Sequence, residues 1–389
     1  MKSDLRCLLE DLSCYVGGLR ERLLATPDAS PDFGGDDFKA RAYRTVEGLH
    51  PRSMQLQVVE VIQETPSTRT FRFERTDGPL PPFRPGQYLS LALTVGEVST
   101  TRGYSISSPP GVDHLDLTVR LAPDGLVSSF LFDHAVVGWE VTTTGPAGSF
   151  VHEPLIDRGV PLLVAGGSGI TPFMSMIRDQ VRRGWPQPMD LVYGSRTGDD
   201  VIFGAELAEL AAAHPQLGYR LVLSEPEPGY DGPAGFIDAE QIRALVGEPE
   251  GRTVLICGPG AMVTHTRAAL AELGVPGHKI REELYGPAAD VTTAPGWPAE
   301  LAATTQVRIE VVGQGSFDAT VGEPLLHSME RAGYPHRSSC RTGVCADCRV
   351  RVVTGKTFEV SAGVRQADRA LGYVHACVTY PLEDLVIEL

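Results

Sequence analysis

The chain has 389 residues, 42% of them hydrophobic, and a formal charge of −15 at pH 7. That length holds two to four domains with cores of their own, and the composition is globular rather than disordered or fibrous. The acidic balance argues against non-specific nucleic-acid binding, which needs a basic surface to displace counterions. No run approaches the ~18 apolar residues of a membrane span, and Glu10 and Asp11 interrupt the first apolar stretch where a signal peptide would be uncharged, so a cytoplasmic protein is expected.

Leu5, Leu8, Leu9, Leu12, Val16, Leu19 and Leu23 recur at spacings of three and four, which predicts a helix with one apolar side; Cys7 and Cys14 fall on that side. "TPDASPDFGGDD" then reads as a loop, and residues 1–52 as an N-terminal helical extension. From residue 55 the period changes to two. "YLSLALTV" and "LDLTVRL" alternate leucine and valine with smaller or polar residues, which predicts an antiparallel β-barrel or sandwich over 53–153.

Near residue 160 the pattern changes again. "VPLLVAGGSGITPFMSMI" is a buried strand, a glycine-rich turn and a helix start, and "MDLVYGSR", "YRLVLSE" and "RTVLICGPG" are further apolar runs separated by helical stretches. Strands alternating with helices imply a parallel sheet covered on both faces, here over 154–286. Gly166, Gly167 and Gly169 free the backbone between strand and helix, where amides favour a dinucleotide's pyrophosphate. Pro172 stands where a Rossmann motif has its third glycine and suits a first helical turn. Arg196 either pairs with a dinucleotide's 2′-phosphate or with Asp199 or Asp200, and the absence of a 2′-phosphate on the ligand is favoured.

Residues 287–305, rich in Pro, Ala and Thr, read as an interdomain linker. Beyond it come a hairpin in "QVRIEVVGQGSFDATVG", a helix in "EPLLHSMERAGY" and a closing strand in "LEDLVIEL". Between them Cys340, Cys345 and Cys348 are spaced C-x4-C-x2-C, and Cys377 follows after 28 intervening residues. This is the plant-type 2Fe-2S spacing, three thiolates from one loop and one from a distant segment, whereas zinc sites take two close pairs. Seven cysteines with three bunched are not a secreted disulfide framework. Small residues at Ser338, Ser339, Thr342 and Ala346 leave amides free to point at sulfur, and Arg337, Arg341 and Arg349 are either solvated or a docking rim.

Residues 306–389 resemble a plant-type ferredoxin domain of β-grasp fold, on "SSCRTGVCADCRV" and "HACVTYP", with Ala346 at a place where many members have Gly. Upstream, "RPGQY", "RGYSISSPP", "GLVSSFL" and "GPAGSF" occur in the order of the flavin domain of the ferredoxin reductase superfamily. "AGGSGITP", "CGPGAM" and "REELYG" resemble its nicotinamide motifs. The resemblance covers residues 53–389 and implies that Arg102 pairs with flavin phosphate, Tyr104 packs on the isoalloxazine within the Arg102-Gly103-Tyr104-Ser105 signature, Ser105 lies near flavin N5, and Ser128 contacts phosphate. It also places Thr171 at the junction of nicotinamide and flavin, assigns Cys257, Gly258 and Pro259 to the second nicotinamide motif, and matches Glu283 and Tyr285 to the family's ending; a buried core thiol is the other reading of Cys257.

FAD is expected rather than FMN, with NADH or NADPH as the hydride source. The implied activity passes electrons from hydride through flavin and a 2Fe-2S cluster to a partner protein such as an oxygenase, a hydroxylase or another metalloenzyme. A flavin oxidoreductase that reduces a small acceptor, or a redox-sensing module, are the alternatives.

Overall fold

The computed structural model describes residues 36–49, 51–157, 159–185, 187–285, 290–360 and 364–389. Residues 1–50 and 51–389 are two separate units. In the first, Asp36–Leu49 is a helix (α1). The helix expected over 5–23, with its two cysteines, lies outside the described residues.

The second unit begins with six antiparallel strands, β1 (Met54–Thr65), β2 (Thr68–Arg75), β3 (Tyr88–Val95), β4 (Val98–Ser105), β5 (Leu115–Arg120) and β6 (Glu140–Thr143), in the order β4-β3-β6-β1-β2-β5. The sheet curls until its edges approach, where an isolated bridge joins Ile106, just past β4, to Leu117 on β5. Leu89, Leu91 and Leu93 point into the core beside Leu115, Leu117 and Val119, as the period of two requires. Ser90, on the other face, is nevertheless buried. A polar residue on an outward face is buried only when something covers it, and here the cover comes from the end of the chain. Helix α2 (Leu126–His134) crosses between β5 and β6.

A five-stranded parallel sheet follows, β7 (Leu162–Gly166), β8 (Met189–Ser195), β9 (Leu217–Leu223), β10 (Val254–Gly258) and β11 (Ile280–Leu284), ordered β11-β10-β7-β8-β9. Its connections carry α3 (Ile170–Arg182), α4 (Gly204–Ala213), α5 (Ala239–Val246) and α6 (Gly260–Glu272). Every residue of β7 and β10 is buried; Leu163 and Ala165 face one core, Leu162 and Val164 the other. The chain runs from β7 outward to β9, then returns to place β10 on the opposite side of β7. The crevice beyond the ends of β7 and β10 is thus the switch point at which open α/β sheets bind ligands.

The last sheet is mixed, with β12 (Gln306–Val311), β13 (Gly315–Thr320), β14 (Arg349–Thr354), β16 (Tyr373–His375) and β18 (Leu385–Glu388) in the order β13-β12-β18-β14-β16, and β15 (Thr357–Glu359) pairs with β17 (Thr379–Pro381) apart from it. Strands β12 and β18 run parallel and the other pairs antiparallel, the β-grasp arrangement, packed by α7 (Leu325–Arg331) and the short α8 (Gln366–Ala370). Within the stretch expected as a linker, Trp297 and Leu301 pack on this core, and the Trp297 ring meets Phe358 and Tyr380 edge-on. That half of the connection is anchored.

Two glycines of the turn after β7 are there for different reasons. Gly167 adopts φ +51, in the left-handed region that costs a side chain ~1–2 kcal/mol. At Gly169 a Cβ would sit 2.1 Å from the Cys257 carbonyl oxygen, so α3 could not start this close to β10. Gly169→Ala is expected to cost about 1–3 kcal/mol in urea unfolding. Gly166→Ala should cost less, because its Cβ meets the flexible end of Met262, which can turn away. Equal losses for the two variants would contradict this packing.

Candidate functional site

The three sheets of the second unit surround one cavity of about 430 Å³. The barrel contributes Tyr88, Arg102, Gly103, Tyr104, Ser105 and Ser128 to its wall; the parallel-sheet domain contributes Ser168, Thr171, Glu283 and Tyr285; and the cysteine loop contributes Cys340 and Arg341. Strand β4 ends at Ser105 and lays the Arg102-Gly103-Tyr104-Ser105 run along one side. Strand β11 ends at Leu284 and brings Glu283 and Tyr285 to the other.

The two sides meet at Ser105. Its hydroxyl donates to Glu283 Oε2 (3.1 Å) and lies 3.2 Å from the Tyr285 hydroxyl. Tyr285 as a residue is 44% exposed, while its hydroxyl is buried beside Ser105. Burial pushes the Glu283 carboxyl up to about 7; the bond from Ser105 works against that rise and the neighbouring Cys340 thiolate adds to it. Cys257 is fully buried, does not border the cavity, and stands behind Tyr285 in the core, where burial pushes its thiol up. Thr171 borders the cavity with its hydroxyl donated to Ser168 O at 2.7 Å, which fixes the first turn of α3.

Another part of the cavity wall is built around Arg102. Its Nη1 donates to Thr100 Oγ1 and to Thr101 O (2.9 Å), and no carboxylate among the described residues pairs with it. Burial and the neighbouring Arg341 lower it to about 10 against the opposing pull of Glu330, because a buried guanidinium without a bonded carboxylate is poorly placed. An anion is what such a group lacks, so the wall fits a phosphate-bearing ligand, and the ring of Tyr104 beside it fits a planar one. Ser128, in the first turn of α2, accepts from Ala122 N (3.1 Å) and donates to Gly125 O (3.3 Å), shaping the loop that faces Arg102 across the cavity.

Gly166, Gly167 and Gly169 and, at the end of β10, Gly258 and Pro259 do not border the cavity itself. They stand together at the sheet's switch point, where Gly258 lies against Gly166 and the Gly167 carbonyl accepts from the Tyr193 hydroxyl at 3.0 Å. Arg196 is exposed and pairs with neither acid: Asp200 binds Arg120 and Asp199 accepts from Thr197.

The four sulfurs form a chain in which Cys345 contacts Cys340, Cys340 contacts Cys377 and Cys377 contacts Cys348. Among the described residues no three His, Cys, Asp or Glu side chains converge on a single ion position. Four cysteines in mutual contact, three from one loop and one from a distant segment, fit a 2Fe-2S cluster better than the two close pairs of a zinc site. The backbone amides of Thr342 and Cys345 both donate to Cys340 Sγ at 3.4 Å, the arrangement expected from the small residues of this loop. Arg341 (φ +53) and Ala346 (φ +64) take left-handed backbone, which explains why glycine suits the second position. His375, fully buried, braces the loop with an acceptor on either side: Gly343 O is 2.6 Å from Nδ1 and Asp368 Oδ2 3.1 Å from Nε2.

Of the three arginines near the loop, Arg337 is exposed, Arg349 pairs with Asp368, and Arg341 is 4% exposed and buried against the barrel, so it is neither solvated nor a rim. Sequence reasoning also missed Tyr88 as a wall residue, although it ends "RPGQY", and it missed Arg120 and His327, for which no local pattern gives a signal.

Residues 55–152 match the oxidoreductase FAD-binding domain, 163–268 the oxidoreductase NAD-binding domain, and 309–382 the 2Fe-2S iron-sulfur cluster binding domain. The ferredoxin reductase component of 3-ketosteroid-9-alpha-monooxygenase from Mycobacterium tuberculosis is 35% identical over 360 residues, covering 87% of this chain and 96% of that protein. The glycine betaine monooxygenase reductase subunit of Chromohalobacter salexigens is 30% identical over 353 residues, covering 86% and 94%. Among solved structures, phthalate dioxygenase reductase superposes with a TM-score of 0.63 at 22% identity, over 87% of this chain and 98% of that one, which shows the shared fold. The three domains in this order, matched nearly end to end by such relatives, place the chain in the ferredoxin reductase superfamily, among the NAD(P)H-dependent flavin and 2Fe-2S reductases with a C-terminal plant-type ferredoxin domain.

Proposed function

We propose that this reductase serves an oxygenase, receiving hydride at the cavity floor between Ser105, Thr171 and Glu283 and releasing single electrons from the Cys340 loop. The observation that carries the reading is the shared cavity: side chains from the flavin, nicotinamide and ferredoxin domains border one space. The relatives named as reductase components of monooxygenases support the acceptor class. The acidic chain, in which no described helix is long and apolar enough to cross a membrane, is read as working in the cytoplasm.

In this reading residues 53–153, 154–286 and 306–389 are the three working domains. Flavin accepts a two-electron hydride and a 2Fe-2S centre carries one electron at a time, so together they convert paired electrons into single ones. The chain's own residues do the positioning. Arg102 neutralises flavin phosphate and Ser128 holds its loop, while Gly103 and Tyr104 form the wall on which the ring packs. Ser105 orients the reacting edge and is itself held by Glu283 and Tyr285. Gly166, Gly167, Gly169, Gly258 and Pro259 let the dinucleotide backbone approach the switch point. Thr171 would limit how deep the nicotinamide enters, Cys257 would back that wall from behind Tyr285, and exposed Arg196 would meet the adenosine end. Cys340, Cys345, Cys348 and Cys377 ligate the cluster. Catalysis then depends on approach and orientation, which are worth more here than an acid–base pair.

Stopped-flow reduction of a Cys345→Ser variant by NADH tests the relay. The flavin should still bleach at a rate close to wild type while delivery to cytochrome c collapses; undiminished delivery would refute it.

A second outcome concerns Glu283, faced by Ser105, Tyr285, Cys257, Cys340 and Tyr88. Its carboxyl is raised from 4.5 to about 7, so the folded protein holds this proton more tightly than the unfolded chain. Its contribution to stability is therefore highest below pH 4.5, falls as pH rises from about 4.5 to about 7, and is level above. The carboxylate present above 7 repels the negative charge that hydride brings, so the flavin-reduction rate should fall through pH 7, and Glu283→Gln should flatten the profile. A step that survives in the variant would assign the titration to another group.

A further inference from the structure

Arg341, one residue beyond Cys340, is a buried cation that the assigned motifs do not use. Its Nε donates to Thr101 O (2.6 Å), and its Nη2 donates to Thr100 Oγ1 (2.8 Å) and to Glu330. Nη1 is buried without any partner, and the side chain borders the cavity beside Arg102. Two guanidiniums therefore meet at Thr100 and Thr101, one from the barrel and one from the ferredoxin domain, and the carboxylate facing them is Glu330. His327, on α7, borders the same corner; burial and the two arginines lower it to about 4, so it is neutral at pH 7. The corner keeps one positive charge in excess and one guanidinium edge unsatisfied. Buried charge is stable only when paired, and two guanidinium forks suit the oxygens of a phosphate.

We propose that Arg341 is a second ligand of the flavin phosphate, so that the flavin is held jointly by Arg102 from the barrel and by the cluster loop of the ferredoxin domain. This rests on reading the cavity as the flavin site. Flavin affinity and docking of the cluster loop are then one equilibrium: phosphate draws Arg341 in, and Cys340 comes with it. No such coupling exists if Arg341 only pairs with Glu330.

The test is reloading of the deflavinated full-length protein with FAD, FMN and riboflavin, followed by quenching of flavin fluorescence, with iron and sulfide content as the control for an intact loop. Arg341→Met should weaken FAD and FMN about tenfold to a hundredfold, the range for a hydrogen bond to a charged group, and leave riboflavin, which has no phosphate, within about twofold. Arg341→Lys should recover part of the loss. Glu330→Gln, which keeps the guanidinium and removes its competing carboxylate, should hold or tighten both phosphorylated flavins. The double variant Arg341→Met with Glu330→Gln removes both charges of that pair together, so neither is left without the other, and should show the same selective loss.

Unchanged FAD affinity in Arg341→Met, an equal loss of riboflavin, or an equal loss in Glu330→Gln would each overturn the assignment. Arg102→Met separates the two levels. If it weakens FAD while Arg341→Met does not, only the second ligand is wrong; if neither does, the cavity is not the flavin site.

Discussion

The contact on which the structure depends is the seat of the cysteine loop against the outer face of β3 and β4. Ser339 Oγ lies 2.8 Å from Ser90 Oγ and 3.3 Å from the Tyr88 hydroxyl, and one turn of loop further on Arg341 reaches Thr100 and Thr101 with Glu330 beside it. Nearly every group in this seat is polar and buried. Such a contact adds little net stability, since desolvation of a buried ion pair offsets most of its attraction. What it supplies is register: each hydroxyl and guanidinium has few places in which all its partners are met, so the loop is held in one position. A purely apolar seat would tolerate sliding, and the distance between the two redox centres would slide with it.

The second seam, between barrel and parallel sheet, is built from the same kind of bond. Arg178 donates to Ser107 O at 2.9 Å while pairing with Glu206, Ser175 donates to Ser108 O at 2.7 Å, and Arg281 holds Asp157 with two bonds of 2.6 Å. The residues after β4 are thereby clamped to α3, and the start of β11 to the chain leaving the barrel. The cavity lies between these two seams. Strand β4 (Val98–Ser105) is common to both, with Thr100 and Thr101 at the cysteine loop and Ser105 at the end nearer the parallel sheet.

The sheets and the cysteine spacing were legible because each is written in neighbouring residues: the period of two in β3 and β5, the apolar runs of β7 and β10, the C-x4-C-x2-C loop. Ser105 and Glu283 were legible only through motif resemblance, since nothing local says that residues 178 apart will bond. Arg341 was read as solvated or as a rim because a charged residue in a polar loop is usually exposed, and its burial is decided by Thr100 and Thr101, more than two hundred positions away. Ser90 is the same case seen from the other side, a hydroxyl at an outward strand position that the alternation marks as solvent-facing. The segment around Trp297 reads as a linker from its Pro and Ala, and composition gives no sign that one tryptophan in it anchors on Phe358 and Tyr380. Contacts between domains carry no period, and composition averages over the single residue that makes them.

The most direct test of an internal electron path is electron paramagnetic resonance on the anaerobically purified protein, titrated with NADH. Flavin, iron and acid-labile sulfide should be present in the ratio of one flavin to one 2Fe-2S cluster, and the signal of the reduced cluster should grow as NADH is added, with no other protein present. A flavin that bleaches completely while the cluster signal stays silent, or a purified chain that holds zinc in place of iron and sulfide, would contradict it.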